Sequence, residues 1–154
     1  MQVAVRSTQQ IAPMSQEAMQ KVEELDMLLK QHPNQISIAT DHVIHGGVYY
    51  RTLCVPAGTL LSGSLVKVNT TLVIHGDCTF YVDGDPMRFR GANIVPAFAG
   101  RKQAVYAHED TIITMSFATD AVTVAEAEEA FTDDAYRLGS RKYPECNTYL
   151  VTGV

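Results

Sequence analysis

The fold is decided by one stretch, Val48-Tyr-Tyr-Arg-Thr-Leu-Cys-Val-Pro-Ala-Gly-Thr-Leu-Leu-Ser-Gly63, in which the corner Pro56-Ala57-Gly58 separates two β-rich runs. A matching corner, Pro96-Ala-Phe-Ala-Gly100, precedes another long β-rich run. Around both corners, runs of roughly four to eight β-favouring residues recur about every ten residues and are broken by Gly, Pro and Asp. This pattern is typical of an antiparallel barrel or a double-sheet jelly roll. We therefore predict a mainly β jelly-roll barrel.

The individual strands follow from the same runs of residues. They are predicted at 35–39, 42–45, 48–55, 65–75, 78–82, 87–90, 93–95, 103–107 and 111–118, with a further run beginning at Thr59. Gly76-Asp77 and Asp83-Gly84-Asp85 are interpreted as turns between strands, and Asp83-Gly84 is the best hairpin signal in the chain.

A helix is predicted on each side of the β-region. At the N-terminal side, Ser15 is expected to cap a helix that runs to Gln31, with the apolar stripe Ala18, Val22, Leu25 and Leu29. The simplest interpretation of this helix is that it lies over the outside or the end of the barrel, and the alternative is that it is reserved for a partner subunit.

At the C-terminal side, Thr123 and Glu126 form a capping box at the start of a second helix, and Gly139 is expected at its C′ position. The expected apolar seam of this helix consists of Val124, Ala127, Phe131, Ala135 and Leu138. The acidic residues between them, which are Glu126, Glu128, Glu129, Asp133 and Asp134, are interpreted as solvated charge.

Length and composition fit one globular domain without nucleic-acid or membrane partners. We divide the 154 residues into an N-terminal arm and helix (1–34), a β-barrel (35–119) and a C-terminal helix and tail (120–154). The net charge of −5 argues against sequence-specific nucleic-acid binding, and no apolar run approaches the ~18 residues of a membrane span. Three widely spaced cysteines indicate neither a disulfide framework nor a zinc site, which fits a reducing compartment.

The Pro…Gly corners resemble those of the cupin superfamily. The fuller pattern from His42 to Gly63, followed by Gly91…Pro96…Ala99-Gly100-Arg-Lys…Ala107-His108-Glu-Asp-Thr111, resembles small cupin-like proteins encoded by tailed bacteriophages and prophages. The resemblance covers roughly residues 40–138 and implies a cupin-like barrel; its motifs say little about activity.

The resemblance also implies where a metal site would lie. Enzymatic cupins hold a metal with a His-x-His pair, a Glu and a later His, and these positions fall on Val66 and Val68, on Leu72 or Val73, and on Gln103. Apolar side chains and one amide cannot replace the hydration shell of a divalent cation. We therefore expect no metal and no cofactor, and no catalytic residue is assigned. His42, His45, His75 and His108 are interpreted as structural, hydrogen-bonding residues.

Three residues remain as candidates for binding a small anionic ligand. Arg51 and Arg101 lie on or beside barrel strands and carry donors suited to phosphate or carboxylate, and Tyr106 adds a ring for stacking. Lys67 carries a charge suited to the same role, but it alternates with Val66 and Val68 and is expected to point outward.

Three functions follow from these observations. The first is a non-enzymatic bacteriophage structural protein, a homo-oligomeric component of the virion that is made in the host cytoplasm and contacts other virion proteins. The alternatives are a phage-encoded protein that sequesters an anionic ligand such as a nucleotide signal, and, last, a metal-dependent cupin enzyme. In the first case, residues 1–14 and the segment Thr148–Val151 are predicted to make most of their contacts with other chains.

Overall fold

The computed structural model describes residues 9–153. Eight strands are present in this range: β1 (Ala39–His45), β2 (Val48–Val55), β3 (Leu60–Ser62), β4 (Thr70–Tyr81), β5 (Met87–Ala97), β6 (Ala104–Ala107), β7 (Thr111–Ala118) and β8 (Asn147–Val151). The helices are α1 (Gln16–Gln31), α2 (Val124–Phe131) and α3 (Gly139–Lys142), with short 3-10 segments at Ala135–Arg137 and Pro144–Cys146. None of these helices combines the length and the hydropathy needed to cross a bilayer.

The strands form one sheet that curls around a single main core. Its order is β3-β6-β4-β7-β2-β1-β8, and β5 pairs with β4 outside this path. The first half of β4 pairs with β7 and the second half pairs with β6, so β4 passes from one half of the sheet to the other. Side chains from both halves, such as Ile74 and Met115 from one and Phe80 from the other, share the core.

The bend in β4 corrects a prediction. Gly76-Asp77 was predicted as a turn, yet β4 continues through it and Gly76 pairs with Gly91 of β5. Both glycines have a positive φ, +144° and +73°. A side chain at position 76 would also lie 2.6 Å from the Oγ1 atom of Thr111. The glycine pair therefore bends a continuous hairpin, and the segments predicted separately at 87–90 and 93–95 are one strand, β5. The hairpin turn itself lies at Asp83-Gly84, as predicted.

Helix α1 confirms the sequence prediction. The Ser15 hydroxyl accepts a hydrogen bond from the Ala18 N–H, and the helix ends at Gln31. Ala18 and Val22 are buried in a small second core with Met14 and Ala104, so α1 lies on the outside of its own barrel.

The second predicted helix is interrupted. Thr123 caps α2 through the Glu126 N–H, but α2 ends at Phe131, and Gly139 begins α3 instead of ending a helix. At the break, the Thr132 hydroxyl accepts a hydrogen bond from the Asp134 N–H. Threonine side chains favour such local hydrogen bonds, which compete with the backbone hydrogen bonds of a helix. Ala127, Phe131, Ala135 and Leu138 of the predicted seam are nevertheless all buried in the main core.

The chain ends contact their own barrel. Residues 1–8 of the predicted arm lie outside the described residues, but Ile11 is 1% exposed. The Ile11 N–H donates to the Pro96 carbonyl, and the Phe98 N–H donates to the Ile11 carbonyl. For Ile11 and Met14, the prediction of contacts mainly with other chains is therefore wrong, because both are buried in their own chain; for the exposed residues 9, 10, 12 and 13 it stays a prediction. The predicted segment Thr148–Val151 pairs its backbone with β1 in parallel, while its side chains remain exposed.

Candidate functional site

Arg51, one of the three predicted ligand-binding residues, is held by a buried carboxylate of its own chain. It lies on the inner side of β2, and its guanidinium donates to the Glu128 carboxylate of α2 over 2.9 Å. A second donor reaches the Ser140 hydroxyl at 3.0 Å, and the guanidinium carbon lies 5.7 Å from the centre of the Phe131 ring. Both terminal nitrogens of Arg51 are therefore engaged between the sheet and the C-terminal helices.

Glu128 is the centre of this arrangement, and its burial corrects the prediction that it is solvated. Its side chain is 5% exposed. It accepts hydrogen bonds from Arg51, from Arg141 at 3.0 Å and from the Ser140 hydroxyl. The sequence contained a signal for this, since Glu128 lies four residues after Val124 and three before Phe131, on the buried face of α2.

A chain of hydrogen bonds extends from Arg51 to the last strand. Tyr49 accepts a weak hydrogen bond from Arg51 at 3.4 Å, and its hydroxyl lies 2.7 Å from the Nδ1 atom of His42. The Nε2 atom of His42 lies 2.7 Å from the Oδ1 atom of Asn147, whose amide nitrogen donates to the Ser140 and Pro144 carbonyls. Because Asn147 accepts, a neutral His42 with its proton on Nε2 satisfies every group in this chain. We call His42, Tyr49, Arg51, Glu128, Ser140, Arg141 and Asn147 the Arg51–Glu128 network.

Burial controls the charge states in the Arg51–Glu128 network. It lowers the pKa of His42 and outweighs the hydrogen bond to Asn147, and it raises the pKa of Tyr49 to about 12. Burial alone would also raise the pKa of Glu128, but hydrogen bonds from Ser140, Arg141 and Arg51 outweigh it and lower that pKa. The network therefore contains an ionised Glu128 and a neutral His42 at pH 7.

Arg101, the second predicted ligand residue, is fully buried. Its guanidinium donates to three neutral acceptors, which are the Thr70 hydroxyl at 2.7 Å, the Phe98 carbonyl at 2.9 Å and the Gln103 side-chain oxygen at 3.0 Å. Burial lowers its pKa to about 10, and the group remains charged at pH 7. Arg101 therefore connects β4 to the segment before β6 from inside the protein.

Tyr106, the third predicted ligand residue, lies on β6 in the other half of the sheet. It pairs across the strands with Leu60 and Thr79, and its ring packs edge-on against His108 at 5.1 Å. Each of the three candidates has its own set of contacts, and among the described residues no hydrogen bond joins any two of them. Their role in binding a ligand stays a prediction, and their contacts favour a structural role.

The positions where the resemblance places metal ligands lie largely in the core. Val66 and Leu72 are buried and Val68 packs against them, while Gln103 binds Arg101. Within residues 9–153, no group of three or more His, Cys, Asp or Glu side chains is arranged to hold a metal ion. His42 is buried and hydrogen-bonded, and His45 on the opposite side of β1 is exposed. His75, predicted to precede a turn, lies inside β4. Lys67 is exposed and pairs with Asp133, which confirms its outward orientation.

A surface cleft of about 640 Å³ lies outside the barrel. It is formed by the end of α1, the 58–64 segment and the 134–143 segment, and its basic side chains are Lys30, Lys102, Arg137 and Lys142. Arg137 binds both Glu23 and Asp26, and Lys102 lies 3.3 Å from Glu23. The arginine lowers the pKa of Glu23, and hydrogen bonds from Ser62 and Lys30 outweigh burial and lower the pKa of Asp26 to about 2. Much of the positive charge in the cleft is therefore paired.

No family model and no curated protein matches this chain. Solved structures of similar architecture include a cupin superfamily protein from Desulfitobacterium hafniense, which is 11% identical, with 72% of this chain and 99% of that chain covered and a TM-score of 0.48. An RmlC-like cupin protein from Desulfovibrio desulfuricans is 15% identical, with 57% and 92% covered and a TM-score of 0.45. Salicylate 1,2-dioxygenase from Pseudoaminobacter salicylatoxidans is 11% identical, with 80% of this chain and 38% of that chain covered and a TM-score of 0.50.

At such identities the similarity concerns the fold alone. These structures give no indication of a bacteriophage origin. The curled sheet, the two flanking helical regions and the similarity of fold to the dioxygenase confirm the prediction from the sequence: the chain has a mainly β, cupin-like jelly-roll fold.

Proposed function

We propose that this protein is non-enzymatic and structural, an oligomeric cupin-like component of a bacteriophage virion such as a tail or capsid accessory piece. It is made in the host cytoplasm and acts in the particle. The observation that carries the structural role is that the two buried arginines, Arg51 and Arg101, have their donors engaged by the protein itself. The phage assignment is supported by the resemblance of the sequence pattern between His42 and Thr111.

The packing of the barrel supports the non-enzymatic part of this proposal. Leu72, Ile74, Phe80, Phe89 and Val95 fill its interior and are nearly inaccessible to solvent. Ligand sites in such folds need a concave interior with a few convergent polar groups. Here the inward polar groups bind one another in the Arg51–Glu128 network, which favours a rigid building block.

Mass spectrometry of purified particles tests the structural role. We expect the protein in virions from a lysate of the encoding phage or an induced prophage, at a ratio to the major capsid protein that stays constant through successive purification steps. A soluble host protein of similar abundance serves as the control, because its signal should fall with each step. Loss of the protein in parallel with this control would contradict the proposal.

The cleft favours a second candidate function, the binding of a small anionic ligand. Its volume of about 640 Å³ lies in the range typical of small-molecule sites, roughly 300–1,000 Å³. Lys142 in its lining carries a charge suited to phosphate groups, whereas Lys30 is paired with Asp26 at 3.0 Å. This site differs from the one predicted from the sequence, since Arg51, Arg101 and Tyr106 do not line it.

A thermal-shift screen against nucleotides tests the cleft. A ligand present at about 100 times its Kd adds about 2.7 kcal/mol to the free energy of unfolding. The shift should be lost in Lys142→Glu and kept in the control Arg90→Glu, which changes an exposed arginine on β5. An equal response of both variants, or none with the unmodified protein, would contradict this function.

A further inference from the structure

The outward side of one half of the sheet is almost free of charge. This half consists of β8, β1, β2, β7, the 70–75 part of β4 and the 92–97 part of β5. In β1 and β4 the outward side chains are those of odd-numbered residues, and in β2, β5, β7 and β8 they are those of even-numbered residues. We call the surface that they form the outer face. Among these described positions, Asp41 is the one carboxylate, and there is no lysine or arginine.

Large apolar side chains take the place of charge on the outer face. Tyr50, Val73, Ile94, Ile112 and Leu150 are each between 39% and 60% exposed. Val73 pairs with Ile94 and lies two strands from Thr52, whose hydroxyl binds that of Thr114 at 2.9 Å. The apolar residues therefore surround an internally bonded threonine pair near the middle of the face, and contiguous patches of this kind mark interaction surfaces.

The other half of the sheet provides an internal comparison. Its outward side carries Asp77, which binds Arg88 at 2.9 Å and lies 3.8 Å from Arg90. Exposed strands of this barrel thus accommodate charged residues readily. The near absence of charge on the outer face is therefore not a requirement of the fold.

The outer face is large enough for a stable interface. Six strands spaced about 4.8 Å apart, with three outward residues per strand spaced about 6.8 Å, span on the order of 600 Å² in projection. The accessible area of a surface formed by side chains exceeds its projection. A standard interface buries about 800 Å² per partner, so the outer face alone approaches this area.

We propose that a second copy of this chain covers the outer face, in a two-fold dimer with the two sheets packed face to face. Each copy carries a net charge of −5, so two copies repel each other most where carboxylates are concentrated and least at the outer face. A two-fold axis matches the same apolar patch with itself, and stacked sheets about 10 Å apart interdigitate such side chains. This inference rests on the proposed structural role, because it names the first contact of the assembly.

Sedimentation equilibrium over a wide concentration range tests the dimer. The apparent molecular mass of the full chain should be twice the 16.9 kDa of one copy. The double variant Val73→Lys/Ile112→Lys places two charges per copy on the outer face and should raise the dimer dissociation constant about 100-fold or more. Both residues are exposed, so circular dichroism should report an unchanged fold. The matched control is Leu60→Lys/Tyr81→Lys, which changes exposed apolar residues on the other half of the sheet and should leave the dimer intact.

Three outcomes would overturn the proposal. They are a monomeric full chain at all concentrations, a dimer that survives the outer-face variant, and a dimer that the control variant abolishes. A full chain that is monomeric but dimerises once residues 1–8 are removed would identify that segment as the occupant. Failure of the dimer proposal is distinguishable from failure of the proposed function. A monomeric protein that is found in virions would support the structural role but would place a different protein on the outer face. A dimeric protein that is absent from virions would support the outer-face dimer and contradict the structural role.

Discussion

At the scale of single residues, the Arg51–Glu128 pair shows how a charge can be buried in this barrel. Both side chains are less than a tenth exposed, and the carboxylate of Glu128 accepts three side-chain hydrogen bonds. Such a pair need not stabilise a protein more than well-packed apolar residues would, because both ions lose their hydration. Removal of one partner, however, leaves the other charge buried and uncompensated.

This asymmetry gives the first prediction. Glu128→Ala should lower the free energy of unfolding by about 3–5 kcal/mol, because Arg51 is left without its carboxylate. Urea unfolding at pH 7 and fixed protein concentration measures the loss. The neighbouring Glu129→Ala is the control, since Glu129 is 66% exposed, and it should change the free energy by less than about 0.5 kcal/mol. A loss below about 1 kcal/mol in Glu128→Ala would contradict the role assigned to the network.

His42 gives a prediction about pH. Its pKa in the folded protein lies below the ordinary value of 6.5. Just below pH 6.5, His42 is therefore protonated in the unfolded chain and still neutral in the folded protein. The free energy of unfolding should therefore fall as pH decreases below about 6.5, by up to about 1.4 kcal/mol per pH unit, until the folded pKa is passed. At pH values above 6.5 this contribution is constant.

Unfolding curves between pH 5 and pH 8 measure this slope, and His42→Gln is the comparison. The variant should lose part of the slope whatever its overall stability. The described carboxylates with a lowered pKa have ordinary values of 4.5 or 3.8, so most of their effect on stability falls below this range; they are Glu23, Asp26, Asp77, Asp83 and Glu128. Identical slopes in both proteins would show that His42 does not titrate as inferred.

At the scale of elements, the paired glycines determine the shape of the β4–β5 hairpin. Gly76 has a φ of +144°, and a Cβ there would lie 2.6 Å from Thr111 Oγ1 and 2.8 Å from the Asp110 carbonyl oxygen. One of these two contacts is with backbone, which cannot rotate away. The bend that carries β4 from one half of the sheet to the other therefore requires a residue without a side chain.

Gly76→Ala should accordingly cost about 2–4 kcal/mol in the free energy of unfolding, through steric overlap added to an unfavourable φ. Gly84→Ala is the matched control. Its φ is +84°, but open space surrounds it, so only the backbone cost of about 1 kcal/mol remains. Thermal or urea unfolding of both variants checks the difference, and equal losses would mean that the close approach at Thr111 is unimportant.

At the scale of the whole molecule, local patterns predicted the fold well. The runs of β-favouring residues at Val48–Val55 and Thr111–Ala118 predicted β2 and β7 to the residue, and the Ser15 cap predicted the start of α1. The apolar seam from Ala127 to Leu138 was predicted correctly even though its helix is broken at Thr132. These features depend on side chains close together in sequence.

The features that sequence reasoning missed depend on distant residues. Glu128 is 77 residues from Arg51, and Asn147 is 105 residues from His42. The spacing of Glu128 from Val124 and Phe131 indicates the buried face of α2, but no local periodicity identifies partners as distant in sequence as Arg51. Gly76 was interpreted as a turn because a glycine that bends a strand and a glycine that ends it have the same sequence signal. Ile11 was assigned to a polar arm because a single apolar residue shows no periodicity that would indicate a buried helix or strand.

The long-range network also imposes an order on biosynthesis. Strands β1 to β7 are all synthesised before residue 119. The hydrogen-bond partner of Arg51, Glu128, and that of His42, Asn147, are synthesised only later. At translation rates of about 5–20 residues per second, Glu128 is added on the order of 4–15 s after Arg51. The core of the barrel is therefore completed only by residues 127–138, which are synthesised after all the strands that they pack against.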